Sequence, residues 1–162
     1  MLADPPARTR PRPATAQRVY NEPMITILGY STDPESDGPV AERATALALE
    51  RGADRVVMAT QGGMTVTMGH GLGPELLPGE SGHEAEGRAA AMCATARTAG
   101  LEAVAQAATG PDGACVEAIC ERYAPAAAVI GTAHRRLVGG LWGSEAVRAA
   151  QKSCPEVEAL HA

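Results

Sequence analysis

Aromatic side chains are scarce in this sequence. Phe is absent, and Phe, Trp and Tyr together make up 2% of the 162 residues. Proteins that bind single-stranded nucleic acids stack the bases on aromatic rings. Positive charge is not in excess either, because the formal net charge is −5, whereas binding to a nucleic-acid backbone requires clustered Lys and Arg side chains. We therefore expect no nucleic-acid partner.

Long apolar runs and the common catalytic and metal-binding motifs are also missing. No window reaches the roughly 18 consecutive apolar residues that a membrane span requires, so no membrane association is expected. The sequence contains no Walker-type phosphate loop, no GxSxG nucleophile motif and no HExxH zinc motif. Glu84 and Glu86, beside His83, are better explained as acids that favour the start of a helix than as metal ligands. These absences predict neither a catalytic residue nor a metal site.

Four cysteines are present, at positions 93, 115, 120 and 154, and they form no CxxC pair. A zinc site requires tighter spacing and His partners. We interpret all four as buried thiols in a reducing compartment, which predicts a cytoplasmic protein.

Residues 1–23 differ in composition from the rest of the chain. They contain five of the twelve prolines and four arginines, and they show no apolar periodicity. Proline lacks a backbone N–H donor and disfavours helix at the preceding residue. We therefore predict a disordered tail at residues 1–23 and a folded domain at residues 24–162.

Beyond this tail, short apolar runs typical of buried strands alternate with apolar residues at helical spacing. The predicted strands are residues 24–30, 54–60, 101–107, 126–131 and 157–161. The predicted helices are residues 39–51, 84–99, 112–123 and 144–152. Residues 61–83 show no clear period and are predicted to form a loop. The alternation predicts a three-layer α/β sandwich around a mainly parallel five-stranded sheet.

The loop that follows the fourth predicted strand lies where such folds bind ligands, at the carboxyl end of a strand. Gly131 ends the strand, and Gly143 and Ser144 open the next helix. His134 and Arg135 add positive charge between them. Because helix N-termini bind anions, these residues indicate a phosphate cradle. The alternative is a solvent-exposed loop without a ligand, in which the charged residues only increase solubility.

Three features of the sequence occur together in one known family. The residues from Gly131 to Ser144 are similar to a Gly-x2-Gly-x9-Gly-Ser/Thr phosphate loop. A polar, acidic turn follows the first predicted strand, and Cys154 and Pro155 precede the last one. From Met24 onward, the chain resembles the universal stress protein family.

Several positions depart from the pattern of that family. Ser31 occupies the position of an Asp that contacts the base end of the nucleotide, and Asp33 follows two residues later. His134 replaces the second glycine of the phosphate loop, and eight residues instead of nine separate it from Gly143. The departures predict a degenerate site that binds ATP or another nucleotide weakly, with no metal beyond nucleotide-associated magnesium.

The resemblance implies the strand order 3-2-1-4-5 and a cytoplasmic stress-response protein that is not an enzyme. It also implies a homodimer that forms through the last strand. There, Glu156 and Glu158 would place like charges near the two-fold axis and weaken the dimer at low salt. The nucleotide-binding residues that the resemblance implies are Ser31, Gly131, His134, Arg135, Gly143 and Ser144.

Two other functions fit the same residues. An ATP-consuming enzyme on this fold would need a nucleophile or a metal-binding acid beside the loop that ends at Ser144. A protein-interaction module without a nucleotide would use an exposed patch that includes Val138 and Trp142. The sequence does not identify its protein partner.

Overall fold

Strands and helices alternate along the chain. The computed structural model describes residues 23–62, 66–67, 75–76, 80–132 and 145–161. The strands are β1 (Thr26–Ser31), β2 (Arg55–Gly62), β3 (Val66–Thr67), β4 (Glu75–Leu76), β5 (Glu102–Thr109), β6 (Ala127–Thr132) and β7 (Glu156–His161). The helices are α1 (Pro34–Arg51), α2 (Glu80–Thr98), α3 (Asp112–Tyr123) and α4 (Glu145–Ser153).

Five of the strands form a single parallel sheet in the order β5-β2-β1-β6-β7. Counted among these five strands alone, the order is 3-2-1-4-5, which confirms the predicted topology. Buried residues of α1 and α2 form one core cluster with one face of the sheet, and those of α3 and α4 form a second cluster with the other face. The predicted three-layer α/β sandwich is therefore confirmed. None of the helices in the described part of the chain is long and apolar enough to cross a membrane.

Two predicted boundaries are wrong. Helix α1 begins at Pro34 rather than at residue 39, because Asp33 caps it: Asp33 Oδ1 accepts a hydrogen bond of 3.0 Å from the Ser36 backbone N–H. The predicted loop at residues 61–83 contains the end of β2, the first residues of α2, and the short antiparallel pair β3–β4.

Residues 1–22 of the predicted tail lie outside the described residues.

Helix α1 packs closely against the middle strand β1 and its neighbour β6, because each of these strands has a glycine beneath the helix. A Cβ atom at Gly29 of β1 would lie 2.9 Å from Met58 Sδ and 3.0 Å from Ala44 Cβ. A Cβ atom at Gly131 of β6 would overlap Val40 Cγ2 and would lie 2.7 Å from Ser36 Cβ. Any side chain at these glycines would therefore push α1 away from the sheet.

We predict that Gly131→Ala lowers the free energy of unfolding by about 1–3 kcal/mol, the usual cost of overpacking a core. Chemical denaturation measures it. The matched control is Gly87→Ala in α2, where an added Cβ meets no atom within 4 Å. The control should raise stability by about 0.5–1 kcal/mol, because alanine is the better helix former. A Gly131→Ala variant as stable as the unmodified protein would contradict the close packing of α1.

Candidate functional site

The candidate site lies at the carboxyl edge of the sheet, where β1 and β6 end side by side. Ser31, the last residue of β1, is in register with Gly131 of β6 and with Thr60 of β2. The structure thus places two of the predicted nucleotide-binding residues next to each other. The predicted residues His134, Arg135, Gly143 and Ser144, and the patch at Val138 and Trp142, lie outside the described residues.

The Ser31 side chain is fully buried and faces α1. Its Oγ lies 2.7 Å from the Asp33 carbonyl oxygen, 2.7 Å from Ser36 Oγ and 2.6 Å from Asp37 Oδ1. A serine hydroxyl has one proton to donate and accepts the proton of a second hydroxyl. The Ser31 hydroxyl therefore forms its hydrogen bonds within the protein, and a ligand could bind it only if these hydrogen bonds were broken.

A partly buried ion pair lies beside Ser31, in which Asp37 is the acid. Arg88 of α2 donates from Nε to Asp37 Oδ2 at 2.7 Å and from Nη2 to Asp37 Oδ1 at 2.7 Å. The two side chains are only 16% and 18% exposed. Arg88 Nη1 also donates to the Gln61 carbonyl oxygen of β2 at 3.2 Å. The pair joins α1, α2 and the end of β2, and the hydrogen bonds with Asp37 raise the pKa of Arg88.

Sequence reasoning missed this pair because its members are 51 residues apart. The available signal is weak: Asp37 belongs to an acidic turn, and Arg88 interrupts an alanine-rich helix. The family pattern places an Asp at position 31, and in this chain the Asp37 carboxylate lies beside Ser31 instead. The Arg88 guanidinium neutralises the charge of that carboxylate.

Asp33 is also engaged within the protein. Besides capping α1, its Oδ2 accepts from Thr32 Oγ1 at 3.1 Å and from Ser36 Oγ at 3.2 Å. The Thr32 backbone N–H donates to the Gly131 carbonyl oxygen at 3.3 Å, which ties this turn to β6. The absence of a side chain at Gly131 is explained by its contact with α1, whether or not a phosphate approaches.

On the opposite face of the sheet, Tyr30 points to the start of α3. Its hydroxyl donates to Asp112 Oδ1 at 2.9 Å. Burial, and then the Asp112 charge, raise the pKa of Tyr30 well above its ordinary value. Burial also raises the pKa of Asp112, and the charge of Glu145 adds to this effect, while the Tyr30 hydrogen bond opposes it. Asp112 begins α3 and Glu145 begins α4, so two helix N-termini at this edge carry carboxylates of the protein itself.

Among the residues that the structure describes, no group of three or more His, Cys, Asp or Glu side chains could hold a metal ion. His83 Nδ1 lies 3.6 Å from Glu86 Oε2, one turn along α2. Both side chains are largely exposed, which is typical of a solvated helix surface.

Solved structures with the same architecture belong to universal stress proteins. One, in complex with cAMP, has a TM-score of 0.60 and 17% sequence identity, and the match covers 86% of this chain and 98% of that chain. A family member from Burkholderia pseudomallei has a TM-score of 0.63 and 19% identity, covering 85% and 96%. One from Archaeoglobus fulgidus in complex with dAMP has a TM-score of 0.53 and 18% identity, covering 84% and 96%.

The chain has the universal stress protein fold. The match extends over almost the whole of each of these structures, and it confirms the resemblance that the motifs of the sequence indicated. At identities below 20%, the similarity establishes the fold and not the ligand. Neither a protein-family model nor a curated protein matches the sequence.

For this example of the universal stress protein fold, we predict that Asp37→Asn lowers the free energy of unfolding by about 1–2 kcal/mol, because it leaves the partly buried Arg88 charge without its partner. Chemical denaturation measures the change. The control is Glu158→Gln, which breaks a 2.8 Å ion pair with Arg43 whose side chains are 36% and 35% exposed. Solvent screens such a pair, so the control should leave stability almost unchanged. Equal effects of the two substitutions would contradict a special role for the partly buried pair.

Proposed function

We propose that this chain is a cytoplasmic stress-response protein that binds a nucleotide through its phosphates, weakly, and catalyses no reaction. The observation that carries the proposal is the universal stress protein fold itself, whose strands β1 and β6 end side by side at the carboxyl edge of the sheet. Two structures of this fold were determined in complex with cAMP and dAMP. In doubly wound sheets, ligands bind at this edge, where the strand order reverses.

The phosphate end of the proposed site is formed by the chain between β6 and α4. These residues join the carboxyl end of β6 to the N-terminus of α4, and a helix N-terminus attracts anions. In this proposal, His134 and Arg135 supply positive charge, while Gly143 and Ser144 supply backbone N–H groups. Any metal is the magnesium that accompanies the nucleotide.

Charges at the described part of the edge oppose phosphate binding. Glu145 is the first residue of α4 and Asp112 the first of α3. These carboxylates already occupy the electropositive helix ends, so that phosphate must bind next to like charges. This arrangement supports weak binding that depends on the cations of the preceding loop.

At the base end of the proposed site, none of the carboxylates that the structure describes is free. Ser31 is bonded to α1, Asp37 is neutralised by Arg88, and Asp33 caps α1. A charged acceptor forms a hydrogen bond roughly twice as strong as a neutral one. We therefore infer that the site discriminates little between bases. The same internal bonding leaves no activated nucleophile among these three residues, which supports a function without catalysis.

We predict that ATP, GTP and tripolyphosphate bind with similar, weak affinities and that binding falls as salt rises. Arg135→Gln should weaken all three, and Glu145→Gln should strengthen them, since it removes a negative charge from the helix N-terminus. Calorimetric titration measures the affinities.

The control for these titrations is Arg148→Gln, which removes an exposed cation from α4 outside the loop and should change the affinity little. Tight binding that is selective for ATP would contradict the analysis of the base end. A lack of binding by all three ligands would overturn the proposal and favour an interaction module without a nucleotide.

We also propose that the protein forms a homodimer through β7. Among the described strands, β7 pairs with β6 alone, so one of its edges is available for a second copy. We infer that the two glutamates of β7 repel a second copy only weakly, because Glu158 is paired with Arg43, and Glu156 with Arg51, both from α1.

We therefore predict that the dimer is similarly tight at low and high salt in sedimentation experiments. The double variant Arg43→Gln/Arg51→Gln exposes both carboxylates and should weaken the dimer, most strongly at low salt. The matched control, Arg97→Gln/Arg122→Gln, removes two charges beside β5 at the opposite edge of the sheet, and it should leave the dimer unchanged. A monomer under all conditions would rule out the proposed dimer.

A further inference from the structure

Two of the four cysteines contact each other in the core. Cys120 Sγ lies 3.2 Å from Cys154 Sγ, although the residues are 34 positions apart in the sequence. Cys120 belongs to the last turns of α3, and Cys154 directly follows α4. Their exposed fractions are 4% and 7%. Both lie at the amino edge of the sheet, opposite the proposed nucleotide site, because the helices run antiparallel to the strands.

The backbone holds both residues in place. The Cys154 N–H donates to the Ala150 carbonyl oxygen at 2.7 Å, which continues the hydrogen bonding of α4 by one residue. The Cys120 carbonyl oxygen accepts from the Ala124 N–H at 2.9 Å, at the C-cap of α3. A disulfide bond is about 2.05 Å long, so the two sulfur atoms need to approach by only about 1 Å.

Either sulfur of the pair can donate its S–H to the other. With Cys120 as the donor, the hydrogen bond lowers the pKa of Cys154. Burial raises the pKa of the other two thiols, Cys93 and Cys115. Since the thiolate is the nucleophile, we assign Cys154 as the attacking thiol and Cys120 as its partner.

We propose that Cys120 and Cys154 are a redox site, which hydrogen peroxide converts from a dithiol into an intramolecular disulfide. The Cys154 thiolate attacks one peroxide oxygen, the O–O bond breaks, and hydroxide leaves with a proton as water. The Cys120 sulfur then attacks the sulfur of the resulting sulfenic acid. The S–S bond forms, the S–O bond breaks, and the hydroxyl leaves as a second water with the Cys120 proton. Two thiols are oxidised and one peroxide is reduced to two waters.

The disulfide would close a covalent ring from residue 120 to residue 154, which contains β6 and α4. Such a ring restricts the unfolded chain and thereby stabilises the folded state. It would fix the end of α3 to the turn before β7. The inference does not depend on nucleotide binding, because neither cysteine belongs to the carboxyl edge.

The experiment treats the reduced full-length protein with a slight excess of hydrogen peroxide, followed by peptide mapping without reductant and a thermal melt. We expect a linked peptide pair that contains Cys120 and Cys154. We also expect a melting temperature higher by on the order of 10 °C, which dithiothreitol reverses.

Cys120→Ala and Cys154→Ala should each abolish the linked peptide and the rise in melting temperature. Their reduced forms are melted first, which establishes that they fold. Cys115→Ala is the matched control, since it removes a buried thiol from the same helix, and Cys93→Ala does so on the other face of the sheet. Both controls should behave like the unmodified protein. The absence of the Cys120–Cys154 peptide from the oxidised protein, or a disulfide that joins any other pair, would overturn the proposal.

Discussion

The close contact between α1 and the two central strands determines the geometry of the carboxyl edge. It is possible because β1 and β6 each place a glycine, Gly29 and Gly131, beneath the helix. At these two positions the backbone of the strands packs against α1 without an intervening side chain. This brings Ser36 and Asp37 within hydrogen-bond distance of Ser31. The partly buried pair of Asp37 with Arg88 extends this contact to α2 and the end of β2. Without the two glycines, these groups would separate.

This arrangement also determines which chemical groups remain for a ligand. Parallel strands direct their carboxyl ends and the following helix N-termini to one edge, so that polar side chains gather there. In this protein, most of the described polar side chains at this edge form hydrogen bonds with one another. The N-termini of α3 and α4 already carry the acidic residues Asp112 and Glu145. In our proposal, the carboxyl edge of the universal stress protein fold gives the location of a nucleotide site, and the residues between β6 and α4 give its affinity.

The amino edge of the same sheet has a different chemistry. Helices α3 and α4 end there side by side, and Cys120 and Cys154 share a hydrogen bond in an otherwise apolar cluster. The proposed redox pair and the proposed nucleotide site therefore lie at opposite edges of the sheet.

The sequence by itself determined the fold class and the five main strands, because alternating apolar runs are properties of neighbouring residues. The strand order came from the resemblance of its motifs to the universal stress protein family. It did not predict the start of α1, since Asp33 and Pro34 suit a turn and a capped helix equally well. Only the tertiary structure decided the pairs Asp37–Arg88, Tyr30–Asp112, Arg43–Glu158 and Cys120–Cys154. Their members are 34 to 115 residues apart, and no local periodicity connects them. Packing of the helices on the sheet brings them together, and these contacts give Asp37 its cationic partner and Cys154 its neighbouring thiol.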